Sequence, residues 1–340
     1  MCFDLGRLPL ISILWLVSGS LCFGQIFGLP TPNRALFEPG GEARFFVGTV
    51  GKPWASGTFG CVRSDGWQIH EGLDIRSVHR NKTGESVDPI LATASGTVAY
   101  INHKSSLSNY GKYLILKHQI EGLEIFSVYA HLSAISKQVQ VGHTVKQGEI
   151  IATMGRTTNT RQGISKDRAH LHFELNLFVN DDFPIWYKKR LPGQRNDHGA
   201  WNGRNLLGLD PRAILLEQNR QGSAFSLLKH VRSQPELCRI LIRSKNFSYA
   251  KRYISLIKRN PLTEREGIGA YEIAINFNGL PFELIPRAPS ELVGRAGKIS
   301  VLSVNQVELD RNPCRKLLQR RGKHWELSST GQQLIDLLVY

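Results

Sequence analysis

Short runs in which apolar and polar residues alternate occupy the chain from about residue 45 to residue 175. Four of them read DPILATASGTVAYI, YGKYLILKH, LEIFSVYAHL and EIIATMG. Because successive side chains of a strand point to opposite faces of a sheet, such runs predict short, half-buried β-strands. Glycine and asparagine punctuate the runs, and this spacing favours an all-β sandwich or barrel.

The alternation stops near residue 175. Residues 176–208 are rich in Asn, Gly and aromatic side chains, which predicts a long loop insertion. Asp210 before Pro211 is typical of a helix N-terminus, because aspartate caps free amides and proline fits the first turn. Residues 215–340 are predicted to form a small α+β domain, with helical patterns over 212–221, 224–232 and 329–338 and strand-like alternation over 271–277 and 298–304.

The N-terminus has the pattern of a secretion signal. An apolar run over residues 8–17 is followed by small residues, which predicts that residues 1–24 are removed by cleavage after Gly24. The run is shorter than the about 20 residues that a membrane span needs, so we expect no stable span after cleavage. An uncleaved anchor is the alternative. Residues 25–44 contain three prolines and predict an extended lead-in rather than a packed element.

Composition limits the fold and the partners. The chain has 340 residues, of which 41% are hydrophobic, so we expect two packed domains and no wholesale disorder. The formal net charge is +15, which favours an anionic partner such as nucleic acid, acidic lipid or an acidic polymer. An ordinary basic surface explains the charge equally well.

Three cysteines follow residue 24: Cys61, Cys238 and Cys314. In an oxidising compartment Cys238 and Cys314 could pair and leave Cys61 unpaired. Three buried thiols are the other interpretation, and the sequence does not decide between them.

Four histidines and one aspartate stand in patterns that suit a metal site. In AHLHFEL, His170 and His172 share one face of a strand, and their apolar neighbours point to the other. In QIHEGLDI, His70 and Asp74 lie about 13 Å apart along a flat strand, and Gly72 between them allows a bend that closes the gap. Ordinary surface or core histidines and a hydrogen-bonded turn are the alternatives for these segments.

His131 ends a third alternating run, VYAHLS. Alone it would be a satisfied polar residue at a sheet edge. Catalytic zinc, however, has three protein ligands and one open position. Five candidate side chains exceed that number, so the pattern makes sense if three bind the metal and two act on the substrate.

In this order and spacing, HEGLD, YAHL and AHLHFE resemble the motifs of the lysostaphin and LytM-like metallopeptidases. The flanking runs SGTFGCVRSDGWQ and VGHTVKQGEIIATMG are similar as well, and the likeness covers about residues 48–175, more weakly to 212. The resemblance implies a mainly β fold, with a duplicated-hybrid-motif β-sandwich peptidase domain over 45–212 followed by the accessory α+β domain.

The same resemblance implies the roles of the site residues. One Zn²⁺ ion would be bound by His70, Asp74 and His172, and His131 and His170 would be the catalytic pair. Hydrogen-bonding partners must fix the tautomers of the imidazoles, and Glu174, on the predicted face of His172, is the candidate, with a solvated carboxylate as the alternative. Arg63 is offset by one place from the family's usual arginine, which leaves a catalytic role for Arg63 open.

The implied function is a secreted zinc metalloendopeptidase that hydrolyses peptide cross-links or stem peptides of bacterial peptidoglycan, in the periplasm or cell envelope. A non-catalytic LytM-like regulator of other wall hydrolases is the alternative. No nucleic-acid partner is expected, because secretion argues against one and the basic C-terminal segment has no aromatic-interleaved binding motif. The scissile bond, autoinhibition and oligomeric state are not readable from the sequence.

Overall fold

Residues 25–244, 247–294 and 297–340 are described by the computed structural model, so the signal segment predicted over 1–24 lies outside the described residues. No helix within these ranges is long and apolar enough to cross a membrane. The first twelve strands are β1 (Gly60–Arg63), β2 (Gln68–His70), β3 (Leu73–Arg76), β4 (Pro89–Leu91), β5 (Gly96–Asn102), β6 (Tyr113–Ile120), β7 (Leu123–Ala130), β8 (Ala134–Ile135), β9 (Thr144–Val145), β10 (Ile150–Thr153), β11 (His170–Phe178) and β12 (Leu206–Leu209).

The remaining strands lie in the C-terminal part of the chain: β13 (Cys238–Ile242), β14 (Ala270–Ile275), β15 (Pro281–Arg287), β16 (Ile299–Val304), β17 (Leu318–Arg321) and β18 (His324–Leu327). The helices are α1 (Glu42–Phe45), α2 (Phe183–Arg190), α3 (Pro211–Gln221), α4 (Leu227–Arg232), α5 (Ser248–Arg252), α6 (Pro261–Glu266), α7 (Gln306–Arg311) and α8 (Ser329–Leu338). Asp210 caps α3 as expected, because its side chain accepts a hydrogen bond from the amide of Arg212.

A seven-stranded sheet carries the N-terminal half of the fold. Its strand order is β12-β11-β7-β6-β5-β9, and β3 pairs with the half of β11 that β12 leaves uncovered. All nine residues of β11 are buried. Leu171, Phe173 and Leu175 alternate toward the main core, so the intervening histidines face the opposite side of the sheet. A three-stranded sheet, β4-β10-β8, and a two-stranded sheet, β1-β2, complete the strand-rich N-terminal part.

The C-terminal part contains a four-stranded antiparallel sheet, β15-β14-β13-β16, together with helices and the β17–β18 hairpin. Contacts tie it to the first sheet: the amide of Phe178 donates to the Tyr253 hydroxyl over 2.7 Å, and the Asn278 side chain donates to the Gly208 carbonyl over 2.9 Å. The predicted fold class, mainly β with following α+β elements, is confirmed.

Two segments predicted to be irregular are packed. Within 25–44 the prediction of an extended lead-in is wrong, because Phe27 and Leu36 are buried and the backbone of Phe27 exchanges hydrogen bonds with the Gln218 side chain. The prolines mark turns there, but the apolar residues between them reach the core. The segment 176–208 also differs from a plain loop, since it contains α2 and most of β12.

The disulfide joins Cys61 to Cys314, so the pairing of Cys238 with Cys314 is wrong. Cys238 lies on β13, an inner strand of the C-terminal sheet, and is a buried free thiol. Cys61 lies on the β1–β2 hairpin, which packs against the 3₁₀ turn Pro313–Arg315. The Cα atoms of Cys61 and Cys314 are 5.4 Å apart, within the range that a disulfide spans.

Candidate metal centre

Strands β2, β3 and β11 bring the candidate ligands together on one face of the large sheet. In the antiparallel pairing of β3 with β11, His172 lies directly opposite Asp74. His70 ends β2, and the chain breaks its strand geometry at Glu71 and Gly72 before β3 begins. A Cβ atom at Gly72 would lie 2.2 Å from the Phe173 carbonyl oxygen, so this close approach requires glycine. The bend at Gly72 brings the side chain of His70 within 3.1 Å of Asp74 Oδ1.

The donor atoms of these three side chains form a nearly equilateral triangle. His70 Nε2 and His172 Nδ1 are 3.1 Å apart, and each lies 3.1 Å from Asp74 Oδ1. Zinc bonds of about 2.0–2.1 Å in tetrahedral geometry place neighbouring ligand atoms about 3.3 Å apart. All three residues are buried. The donor set therefore fits a zinc ion in type and in spacing.

Hydrogen bonds on the far side of each ring aim the lone pairs inward. The Thr58 carbonyl can only accept, so His70 Nδ1, 2.8 Å away, carries the proton and Nε2 faces the centre. His172 Nε2 lies 2.8 Å from Glu174 Oε1. Glu174 is buried and also accepts from the hydroxyl of Tyr110 and from Asn176 Nδ2. A carboxylate behind a ligating histidine is the arrangement that fixes ring orientation at metal sites.

Charges around Asp74 keep its carboxylate ionised. Burial alone would raise the pKa of Asp74, but the neighbouring histidines hold that pKa well below its usual range. Arg63 Nη2 donates to Asp74 Oδ2 over 2.5 Å, so the arginine whose role the sequence left open contacts the second oxygen of the carboxylate. For His172, burial lowers the pKa, but hydrogen bonds to Asp74 and Glu174 outweigh it and raise the pKa to about 10. A metal ion bound at His172 Nδ1 would displace the proton from that nitrogen.

His131 and His170 form a pair beside the triangle, with ring centroids 4.9 Å apart. His131 Nδ1 donates to the Thr157 carbonyl over 2.9 Å, and His170 Nδ1 donates to the Arg168 carbonyl over 2.6 Å. Burial lowers the pKa of His131 to about 3 and also lowers the pKa of His170. Both rings are therefore neutral at pH 7, with an unprotonated Nε2 on the side away from these carbonyls.

The backbone at His131 is unusual, because its φ of +62° lies in the left-handed region. Few residues other than glycine adopt that region, and such conformations concentrate at functional sites. Here the turn directs the amide of His131 to the Tyr110 carbonyl over 2.9 Å and leaves the ring beside His170.

The five side chains lie at the floor of a groove of about 690 Å³, and all of them line it. Sequence reasoning missed Tyr110, whose ring centroid is 5.2 Å from that of His172 and whose hydroxyl donates to Glu174. It also missed the carbonyls of Thr58, Thr157 and Arg168. A carbonyl belongs to every residue, so no sequence signal could have singled these out.

In a comparison with known protein families, residues 68–182 match the family described as Peptidase family M23. Over 124 residues the chain is 38% identical to an "Uncharacterized metalloprotease" of Haemophilus influenzae, covering 36% of this chain and 22% of that protein. Over 108 residues it is 31% identical to the "Cell division protein DipM" of Caulobacter vibrioides, covering 32% of this chain and 14% of that one. The chain thus spans less than a quarter of these curated relatives.

Among solved structures, the catalytic domain of the antimicrobial peptidase lysostaphin from Staphylococcus simulans is 21% identical and gives a TM-score of 0.28. That similarity covers 47% of this chain and 87% of the lysostaphin domain. The match to Peptidase family M23 confirms the resemblance that the three motifs predicted.

Proposed function

We propose that the segment matching peptidase family M23 forms a zinc metallopeptidase that hydrolyses peptide bonds in bacterial peptidoglycan. The observation that carries this proposal is the triangle of His70 Nε2, Asp74 Oδ1 and His172 Nδ1, with edges of 3.1 Å. A catalytic zinc site has three protein ligands and an open position, whereas a structural zinc site has four protein ligands. The three ligands here, with His131 and His170 beside them, match the catalytic type. His70, Asp74 and His172 would hold the metal.

Bound zinc supplies Lewis-acid polarisation of a carbonyl and a lowered pKa for water. The chain's own contribution comes from His131 and His170. Because both imidazoles are neutral, each can accept a proton at Nε2 and return it to the leaving amine. Once protonated, either ring can donate a hydrogen bond to the developing oxyanion. The carbonyls of Thr157 and Arg168 hold the two rings in the required tautomer.

Substrate class and location extend the proposal. The wall polymer carries acidic peptides, and the excess of basic residues, a net charge of +15, would retain the enzyme on it. We place the protein in the periplasm or cell envelope, where the Cys61–Cys314 disulfide would persist. Residues 45–212 would be the catalytic domain and residues 215–340 an accessory domain.

Metal content and hydrolysis measured on one sample test the proposal. The purified protein should bind one equivalent of zinc and release peptide fragments from defined murein, and mass analysis of those fragments identifies the bond that is cut. His172→Ala should lose zinc and activity together, because it removes one corner of the triangle. An exposed histidine on the surface, His143, gives the matched control His143→Ala, which should change neither.

Clearing of purified wall in a zymogram separates an enzyme from a regulator. An enzyme should clear the wall, and a chelator should abolish clearing until zinc is restored. A protein that folds and binds zinc but clears nothing would be the non-catalytic LytM-like regulator, and the proposed hydrolysis would be wrong.

A further inference from the structure

A second cavity of about 330 Å³ lies between the large sheet and the C-terminal part of the chain. Glu71, Trp186 and Arg204 line it from the N-terminal side, and Asn278, Arg315 and Gln333 line it from the other. It is separate from the five residues of the candidate metal centre. Nothing in the mechanism above uses it, although it contains two cationic side chains.

Among the described residues neither of these cations forms an ion pair, although the Glu71 carboxylate lines the same cavity. Within the described ranges no carboxylate lies in ion-pair distance of the guanidinium of Arg204 or of Arg315, and the buried Nε of Arg315 makes no hydrogen bond. Burial lowers the pKa of Arg315, the charge of Glu71 opposes that shift, and Arg204 adds to it. A buried donor that lacks an acceptor costs free energy, so the Arg315 guanidinium is suited to an incoming anion.

The cavity adjoins the groove of the candidate metal centre. Glu71 lines both spaces. Tyr110, which lines the groove, approaches Gly203 of the cavity: a Cβ atom built on Gly203 would lie 3.9 Å from the Tyr110 hydroxyl. The Tyr110 ring in turn is 5.2 Å from that of His172.

We propose that this cavity is a subsite that binds a free carboxylate of the peptide substrate, outside the groove that would hold the scissile bond, through Arg315 and Arg204. The subsite rests on the proposed peptidase function. A guanidinium presents paired N–H donors that match the two oxygens of a carboxylate. Trp186, Leu206 and Leu337 supply apolar walls for the aliphatic part of that residue.

The disulfide fixes where the Arg315 backbone lies relative to the candidate metal centre. Cys314, next to Arg315, is bonded to Cys61 on the β1 strand. Arg315 belongs by sequence to the C-terminal part, but this bond fixes its backbone beside the hairpin that carries His70. The cation is thus held at a constant position relative to the candidate metal centre.

Two peptides that differ only in whether that carboxyl group is free or amidated test the subsite. The zinc-loaded wild type should cleave the free acid with a kcat/KM about 10-fold to 100-fold higher than the amide, the range expected for a charge-assisted pair. Arg315→Gln and Arg204→Gln should each lower kcat/KM for the free acid toward the value for the amide, so that most of the preference is lost, and should leave the zinc content unchanged. Arg320→Gln, an exposed arginine of β17 outside both spaces, is the control and should keep the preference.

Binding measured by calorimetry on chelator-treated protein separates failure of the subsite from failure of the peptidase function. If neither peptide is cleaved but the acid binds more tightly and Arg315→Gln removes the difference, the subsite stands and the peptidase proposal falls. Equal binding of acid and amide by the wild type overturns the subsite whatever the activity. Binding of inorganic phosphate that depends on Arg315, without discrimination between the peptides, would also overturn it, because the cavity would then take a free anion. Arg204→Gln, at an exposed position, covers the case in which Arg315→Gln does not fold.

Discussion

Replacing Glu174 by glutamine is expected to weaken zinc binding about tenfold. Glu174 Oε1 lies 2.8 Å from His172 Nε2, and the carboxylate is buried. Glutamine keeps an oxygen acceptor of similar length but removes the negative charge. A hydrogen bond to a charged group contributes about 1.5–3 kcal/mol, against about 0.5–1.5 kcal/mol for a neutral one. The midpoints of these ranges differ by about 1.3 kcal/mol, which is close to a factor of ten in the dissociation constant.

Competition with a chromophoric zinc chelator measures this change, with urea unfolding of the metal-free protein as a check on folding. Glu149→Gln removes a carboxylate from an exposed position on the same half of the chain and should leave zinc affinity unchanged. An affinity for Glu174→Gln within twofold of the wild type would refute the reasoning, since the carboxylate would then contribute nothing to orienting His172.

Four further outcomes are expected. His131→Ala should retain zinc and slow murein hydrolysis by about 100-fold or more, seen by comparing metal content with initial rates. Gly72→Ala should lower both zinc content and thermal stability, because its Cβ would lie 2.2 Å from a backbone oxygen. Cys61→Ser with Cys314→Ser should lower the free energy of unfolding by up to about 5 kcal/mol in the chain-entropy account of a disulfide, measured in urea. Burial lowers the pKa of His118 below 6.5, so the unfolded chain takes up its proton first and stability should fall as pH drops below 6.5; His118→Gln should flatten that part of the stability curve relative to wild type.

Local periodicity predicted which candidate side chains share a face, and the family resemblance then assigned them to one metal site. The two-residue repeat predicts that His170 and His172 share a face, and the structure places both on the groove side of β11. Gly72 indicated where the chain had to bend for His70 to approach Asp74. These features depend on neighbours in sequence, and for that reason they could be read without a structure.

Features set by long-range packing could not be read in the same way. The partner of Cys61 depends on how the C-terminal turn packs against the β1–β2 hairpin, and no spacing rule encodes that contact. Helix α2 was hidden because Asn and Gly dominate its surroundings, although Asp182 before Phe183-Pro184 is a helix-start signal of the same kind as the one recognised at Asp210. The Asn and Gly content of residues 176–208 predicted a loop for the whole segment, although Phe183, Trp186 and Tyr187 form a buried helical core within it.

The separation of 253 residues between the two bonded cysteines has a consequence for how the protein matures. The hairpin that carries His70 is made early in synthesis, but its covalent tie has to wait until residue 314 has emerged. During that interval the hairpin is held by strand pairing and packing alone. A ribosome-bound or partly exported chain that stops short of residue 314 would therefore have every candidate metal ligand and still lack the disulfide. Measuring zinc uptake by chains of increasing length would reveal whether the disulfide must form first.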